Sequence, residues 1–162
     1  MINTDIYIGL GSNIGDRLMN LKQSLGDISR FSIFEKVSSP YLSSPIGFSS
    51  QPSFINAVCK VSTELDCWRF LDRLNSIEEY LGRIRPFKNV PRLIDLDILL
   101  WGNMNVSQPG LIIPHPEIEK RRFVLDHLIE LNPLLVNPAT GNLLTKIDSH
   151  LVGETDLVRL SW

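Results

Sequence analysis

Residues 93–100 read LIDLDILL, an apolar run broken only by Asp95 and Asp97. In a β-strand, residues two apart point to the same face. The two aspartates therefore stand side by side, while Ile94, Leu96, Ile98 and Leu100 line the opposite face and anchor the strand. Adjacent carboxylates repel each other and are costly to desolvate. A metal ion removes both penalties, and Mg²⁺ typically takes one or two carboxylates together with waters and phosphate oxygens. Directly before the strand, Arg83, Arg85, Lys88 and Arg92 place four cations in ten residues with no acid among them. Guanidinium groups bind oxyanions in a bidentate fork. Together these features suggest Mg²⁺–nucleotide chemistry. The alternative is an edge strand with two solvated aspartates after a solvated basic turn. The arginine loop beside the pair favours a site.

The remaining bulk properties narrow the class. A chain of 162 residues suits one domain, 1–162, long enough to bury a core. With 43% hydrophobic and 21% charged residues, it reads as an ordinary globular protein. A net charge of −2 offers no long-range attraction to nucleic acid, so anion binding must come from a local patch. The opening MINTDIYIGL has neither a basic nor a long apolar region, so no signal peptide is expected. No apolar run approaches the length of a membrane span. Cys59 and Cys67 form no CxxC pair and read as reduced thiols of a cytoplasmic protein.

Alternation of Ile6, Ile8 and Leu10 predicts a first strand over 4–10, followed by a turn from Gly11 to Gly15. Asp16 caps a helix carrying Leu18, Leu21, Leu25 and Ile28 at helical spacing. Gly9, Gly11 and Gly15 give GxGxxxG, one residue longer than the dinucleotide fingerprint, which also requires a parallel βαβ unit. A tight strand-to-helix turn is the preferred reading. A second strand is expected over 31–38, then a long loop from Ser38 to Ser53, rich in Ser, Pro and Gly. Such loops are usually functional. The strand over 54–63 puts Phe54, Asn56, Val58 and Lys60 on one face, where an aromatic and a carboxamide can stack on and read a flat heterocycle. Asp66 caps the next helix, with apolar Phe70, Leu74, Ile77 and Leu81, and with Asn75, Glu78 and Glu79 on its more polar side. Gly82 ends it. A short strand spans 111–113. His115 sits between two prolines, ahead of Lys120, Arg121 and Arg122 at the start of a helix over roughly 121–131, a favourable place for anions. Residues 134–162 suggest a short helix and a last strand. The order of main elements is β-α-β-β-α-β, so the expected fold is α+β and ferredoxin-like, mainly antiparallel, with a C-terminal extension.

Four blocks, YIGLGSNIGDR, SSPIGFSSQPSFINAV, LGRIR…PRLIDLDILLWG and IIPHPEIEKRRFVLDHLIEL, occur in order between Tyr7 and about residue 131. They resemble the 6-hydroxymethyl-7,8-dihydropterin pyrophosphokinases of folate biosynthesis. The resemblance implies transfer of the β,γ-diphosphate of ATP to the pterin's hydroxymethyl oxygen, with release of AMP. Asp95 and Asp97 match the ligands of two Mg²⁺ ions, Asp95 also bordering the pterin. Arg83 and Arg92 match catalytic-loop arginines, and Arg85 a loop residue that contacts nucleotide. His115 and Arg121 match ATP-phosphate ligands, while Asn75, Glu78 and Ile98 stand at nucleotide-side positions. Phe54 and Phe123 match aromatic slabs that sandwich the pterin. Asn56 would read its edge, with Ser43 and the main chain at Ile46 completing the pocket. The chain departs from the family pattern in a catalytic loop one residue short, with Asn89-Val90 where an aromatic-Gly pair is usual, and in Pro86, Leu93, Phe54 and Pro116. None of these removes Asp95, Asp97, Arg83, Arg92 or His115.

A monomeric enzyme acting on small molecules, with no nucleic-acid or membrane partner, is therefore the expected function. Two alternatives differ in class. One is a non-catalytic nucleotide- or pterin-binding module, against which the retained carboxylate pair argues. The other is an RNA-binding ferredoxin-like domain, for which the exposed aromatic RNP pattern is missing.

Overall fold

The computed structural model describes residues 4–43, 52–82, 93–148 and 157–162. Its elements in order are β1 (Ile6–Ser12), α1 (Arg17–Ile28), β2 (Ile33–Val37), β3 (Tyr41–Ser43), β4 (Phe54–Ser62), α2 (Cys67–Tyr80), β5 (Asp95–Trp101), β6 (Val106–Gln108), β7 (Leu111–Ile113), α3 (Arg122–Leu131) and β8 (Leu157–Arg159). The two expected caps form. Asp16 accepts from the Met19 amide at 3.0 Å and Asp66 from the Arg69 amide at 2.9 Å, satisfying donors left open in each first turn. Gly82 follows α2 at φ +89°, where a side chain would be strained.

Six strands form one sheet in the order β5-β1-β4-β3-β8, with β2 beside the far half of β4. The order β5-β1-β4-β2, with every pairing antiparallel, is the ferredoxin-like arrangement. The strand β4 is long enough to hold two short partners along one edge. Its residues Cys59 to Ser62 pair with β2, and Phe54 to Asn56 pair with β3. This antiparallel setting also removes the parallel unit that a dinucleotide fingerprint needs.

Alternation decides the two faces. Ile6, Ile8, Leu10, Ile55, Ala57, Cys59, Val61, Leu96 and Ile98 pack with Leu21, Phe70 and Leu74 under α1 and α2. Tyr7, Val58, Leu99 and Leu100 pack with Val124, Leu125 and Leu128 under α3. Leu100 thus corrects the expectation that it shares a face with Ile98. The β1–β5 register shifts between Tyr7 and Ile8, pairing Tyr7 with Leu100 but Ile8 with Ile98. Such a bulge inserts one residue and reverses the alternation beyond it.

Three further differences concern local chemistry. The strand β1 runs two residues past its expected end, so Gly11 lies inside a ladder and not in a turn. The loop expected from Ser38 to Ser53 contains β3, and its residues 44–51 lie outside the described set. Between 134 and 148 the regular helix is a single 3₁₀ turn, Leu144–Lys146, and the last strand is β8. Both cysteines are buried thiols, and burial pushes that of Cys59 up to about 12, as suits reduced and inert sulfur.

Candidate active site

Strand register brings Asp95, Asp97, Asn56 and Phe54 to one face of the sheet. Asp95 lies opposite Gly11 and Asp97 opposite Gly9; across β1, Gly11 lies opposite Asn56, and Asn56 opposite Tyr41. One row across the sheet therefore reads Asp95, Gly11, Asn56, Tyr41. The middle strand contributes no side chain there, which leaves a trough between the carboxylates and the Asn56–Phe54 pair. A Cβ at Gly11 would meet Asn56 Oδ1 at 2.9 Å and Phe54 Cδ1 at 3.6 Å. A side chain at Gly11 would thus have to displace the Asn56 carboxamide, whereas a Cβ at Gly9 would make only ordinary contact with Leu99 at 3.5 Å. Sequence reasoning missed this floor. The available signal was two glycines two apart in a strand, which often marks close approach of another group.

The far wall is fixed by hydrogen bonds. Asn56 is buried, and its Nδ2 donates to Ser43 Oγ at 2.7 Å, which orients the carboxamide. Phe54 pairs with Ser43 in register. Helix α3 packs over Val58 and Leu99 and brings Phe123 to this face. Arg121, the residue before that helix, lies with its guanidinium carbon 5.8 Å from the Phe123 ring centroid. Its Nε is buried without a hydrogen-bond partner among the described residues, and Glu117 lies 3.8 Å away. Asn13 and Arg17 tie the entrance to β4 by donating to the carbonyls of Pro52 and Ser53.

Beyond β5, an edge strand of the sheet, lies a cleft of about 320 Å³ lined by Leu71, Asp97, Ile98, Ile112, His115 and Pro116 among others. Two contacts close the open backbone edge of β5. The Leu96 amide donates to Glu78 Oε1 at 2.8 Å, and the His115 amide donates to the Leu99 carbonyl at 2.9 Å. Glu78 was expected on the more polar side of its helix. It is instead 2% exposed, because the edge strand's buried N–H needs an acceptor. Asn75 is exposed on α2, one turn after the cleft residue Leu71.

His115 Nδ1 accepts from the Glu117 amide at 3.1 Å, so the ring proton of its neutral form sits on Nε2. Burial, then the Arg121 charge, lowers its pKa from the usual value, partly opposed by Glu117 and Asp95. Among the described residues, no group of three or more His, Cys, Asp or Glu forms a metal cage. Two neighbouring carboxylates fit a cation whose other ligands are water and phosphate. Arg83, Arg85, Arg92 and Ile46 lie outside the described residues.

The model of the 7,8-dihydro-6-hydroxymethylpterin-pyrophosphokinase family matches residues 7–133. The chain is 38% identical over 133 residues to a 2-amino-4-hydroxy-6-hydroxymethyldihydropteridine pyrophosphokinase of Aquifex aeolicus, covering 82% of this chain and 83% of that one. It is 42% identical over 134 residues to the protein of the same name from Haemophilus influenzae, covering 82% and 84%. The folic acid synthesis protein fol1 of Pneumocystis carinii is 42% identical over 140 residues, but the match spans only 19% of that longer chain. A crystal structure of an HPPK-DHPS in complex with substrates superposes with a TM-score of 0.68 over 90% of this chain and 43% of the other. At 13% identity that likeness concerns the fold alone.

Proposed function

The chain belongs to the 7,8-dihydro-6-hydroxymethylpterin-pyrophosphokinase family, and from that premise we infer that it transfers diphosphate from ATP to 6-hydroxymethyl-7,8-dihydropterin in folate synthesis. The observation that carries the reading is the trough: two neighbouring carboxylates face a glycine floor, with a fixed carboxamide and an aromatic ring beyond it. A flat heterocycle fits between Phe54 and Phe123, where stacking adds to burial. Asn56, oriented by Ser43, then reads its edge, and the main chain at Ile46 is proposed to complete the pocket. The hydroxymethyl oxygen points along the floor towards Asp95 and Asp97. There it attacks the β-phosphorus of ATP as its proton passes to solvent, and AMP leaves with the bridging oxygen.

Asp95 and Asp97 are the residues that would hold Mg²⁺, two ions being expected. When bound, the metal neutralises phosphate charge and aligns the reacting oxygens. Neutral His115 donates from Nε2 to phosphate, and Arg121 supplies a permanent positive charge from the start of α3. Asn75, Glu78 and Ile98 serve the nucleotide side, Glu78 by holding the Leu96 amide and so the line of β5. Arg83, Arg85 and Arg92 are proposed to clamp the phosphates as the reaction proceeds. No strong general base is required, since phosphoryl-type transfer rests mainly on positioning and electrostatics. The proposed working form is a cytoplasmic monomer comprising one domain over 1–162. Among the described residues, no helix is long and apolar enough to cross a membrane.

The test is to mix the protein with ATP, Mg²⁺ and the pterin and to separate the nucleotides. AMP formed only when pterin is present is expected. ADP, or no product at all, would overturn the reading. In the same assay Asp97→Ala should lower turnover at least about a hundredfold, as loss of a group that organises transition-state charge does. Its melting temperature should stay near that of the parent.

A further inference from the structure

The segment after residue 133 lies beyond the family match, yet its last strand reaches the wall of the trough. The strand β8 pairs with β3, setting Tyr41 opposite Arg159, Leu42 opposite Val158 and Ser43 opposite Leu157. The Leu160 amide donates to the Pro40 carbonyl at 2.8 Å. Without β8, three-residue β3 would be the edge of the sheet, a length that is marginal on its own.

Side chains add to this ladder at Ser38 and Ser39. Trp162 Nε1 donates to the Ser38 carbonyl at 2.8 Å. Arg159 donates to Ser39 Oγ from Nε at 3.0 Å and Nη2 at 2.7 Å. The Ser39 amide and hydroxyl both donate to Glu130 Oε1 of α3 at 2.9 Å, and Arg159 Nη2 lies 3.7 Å from the same oxygen. Ser38 Oγ, in turn, accepts from the Val58 amide and contacts His127 Nδ1, each at 2.9 Å. His127 lies one turn after Phe123, with ring centroids 6.3 Å apart, and packs edge-on against Tyr41 at 4.8 Å. This one junction therefore holds β3, which carries Ser43 and through it Asn56, and α3, which carries Phe123.

We propose that residues 157–162 are a positioning element of the pterin half of the site, setting the separation of the Phe54–Asn56 wall from Phe123 through Ser38 and Ser39. The inference rests on the assignment of that half to the pterin. None of residues 157–162 lines the cleft beyond β5, so the ATP side should be indifferent to their loss.

Steady-state kinetics on the 162-residue protein, on a form lacking residues 157–162, and on Trp162→Phe and Arg159→Met test this. The shortened form should raise KM for the pterin roughly tenfold, and each point variant roughly threefold, as expected for lost hydrogen bonds that orient a binding group. KM for ATP should stay within about twofold, the scatter expected of sites that share no partner. Unchanged pterin KM in all three, or equal losses for pterin and ATP, would overturn the proposal. If the shortened form does not fold, the two point variants decide by the same criteria. Unaltered protein that makes no AMP would instead count against the reaction itself, so the two failures are distinguishable.

Discussion

Gly11 shows how a single residue shapes the trough. Its missing Cβ is what allows Asn56 Oδ1 to approach β1, since an added methyl would sit 2.9 Å from that oxygen. Gly11→Ala should push the carboxamide aside while leaving Asp95 and Asp97 in register. Overpacking of this kind typically costs about 1–3 kcal/mol, so a rise of roughly tenfold in pterin KM is expected, with little change in KM for ATP. Steady-state kinetics with each substrate varied would check it. The side-by-side placement of Asp95 and Asp97 was legible in the sequence because residues two apart on a strand share a face. The role of Gly11 was not, since a glycine's use depends on what approaches it from another strand.

Between elements, the join of α3 to the sheet passes through His127, which is fully buried. Ser38 Oγ accepts from the Val58 amide and lies 2.9 Å from His127 Nδ1 and 3.2 Å from the Ser39 carbonyl. Among the described residues, Nε2 of His127 is a buried atom without a hydrogen-bond partner. Burial lowers the pKa of His127 to about 3. Because the folded-state value is depressed, unfolded protein binds a proton that folded protein does not as pH falls below about 6.5. The stabilisation from neutral His127 is therefore present above that pH and is lost progressively towards about 3. In His127→Asn the carboxamide can keep a hydrogen bond to Ser38, but nothing titrates. Its stability relative to the parent should improve steadily between pH 6.5 and 4 in chemical denaturation. A constant difference across that window would show that His127 does not stay neutral. No sequence pattern marked this residue, because a histidine at helical spacing reads the same whether it meets solvent or Ser38.

At the scale of the molecule, two cores share one sheet. Phe70 anchors the side of α1 and α2, with edge-on contacts to Phe31 and Trp101 at 5.2 and 5.4 Å, while Leu125 is fully buried on the side of α3. Every strand of β1, β4 and β5 contributes side chains to both cores, so neither can melt while the other stays intact. Phe70→Ala and Leu125→Ala should thus lower one common transition, by about 3–5 and 2–5 kcal/mol respectively. Calorimetry and far-ultraviolet circular dichroism should report the same midpoint in each variant, and two separate transitions would refute the single unit. The sequence by itself determined what local rules govern: the capped helices, the alternating faces of β1 and β4, the carboxylate pair and the order of the main elements. Those depend on neighbours within a few residues, and their periodicities of 2 and 3.6 are written along the chain. Tertiary structure alone decided the bulge that turns Leu100 towards α3, the burial of Glu78 under the Leu96 amide, the glycine floor and the staple from Trp162 and Arg159 to Ser38 and Ser39. Each of these is set by a partner distant in sequence, whose approach depends on how sheet and helices pack and on which buried polar groups must find one another.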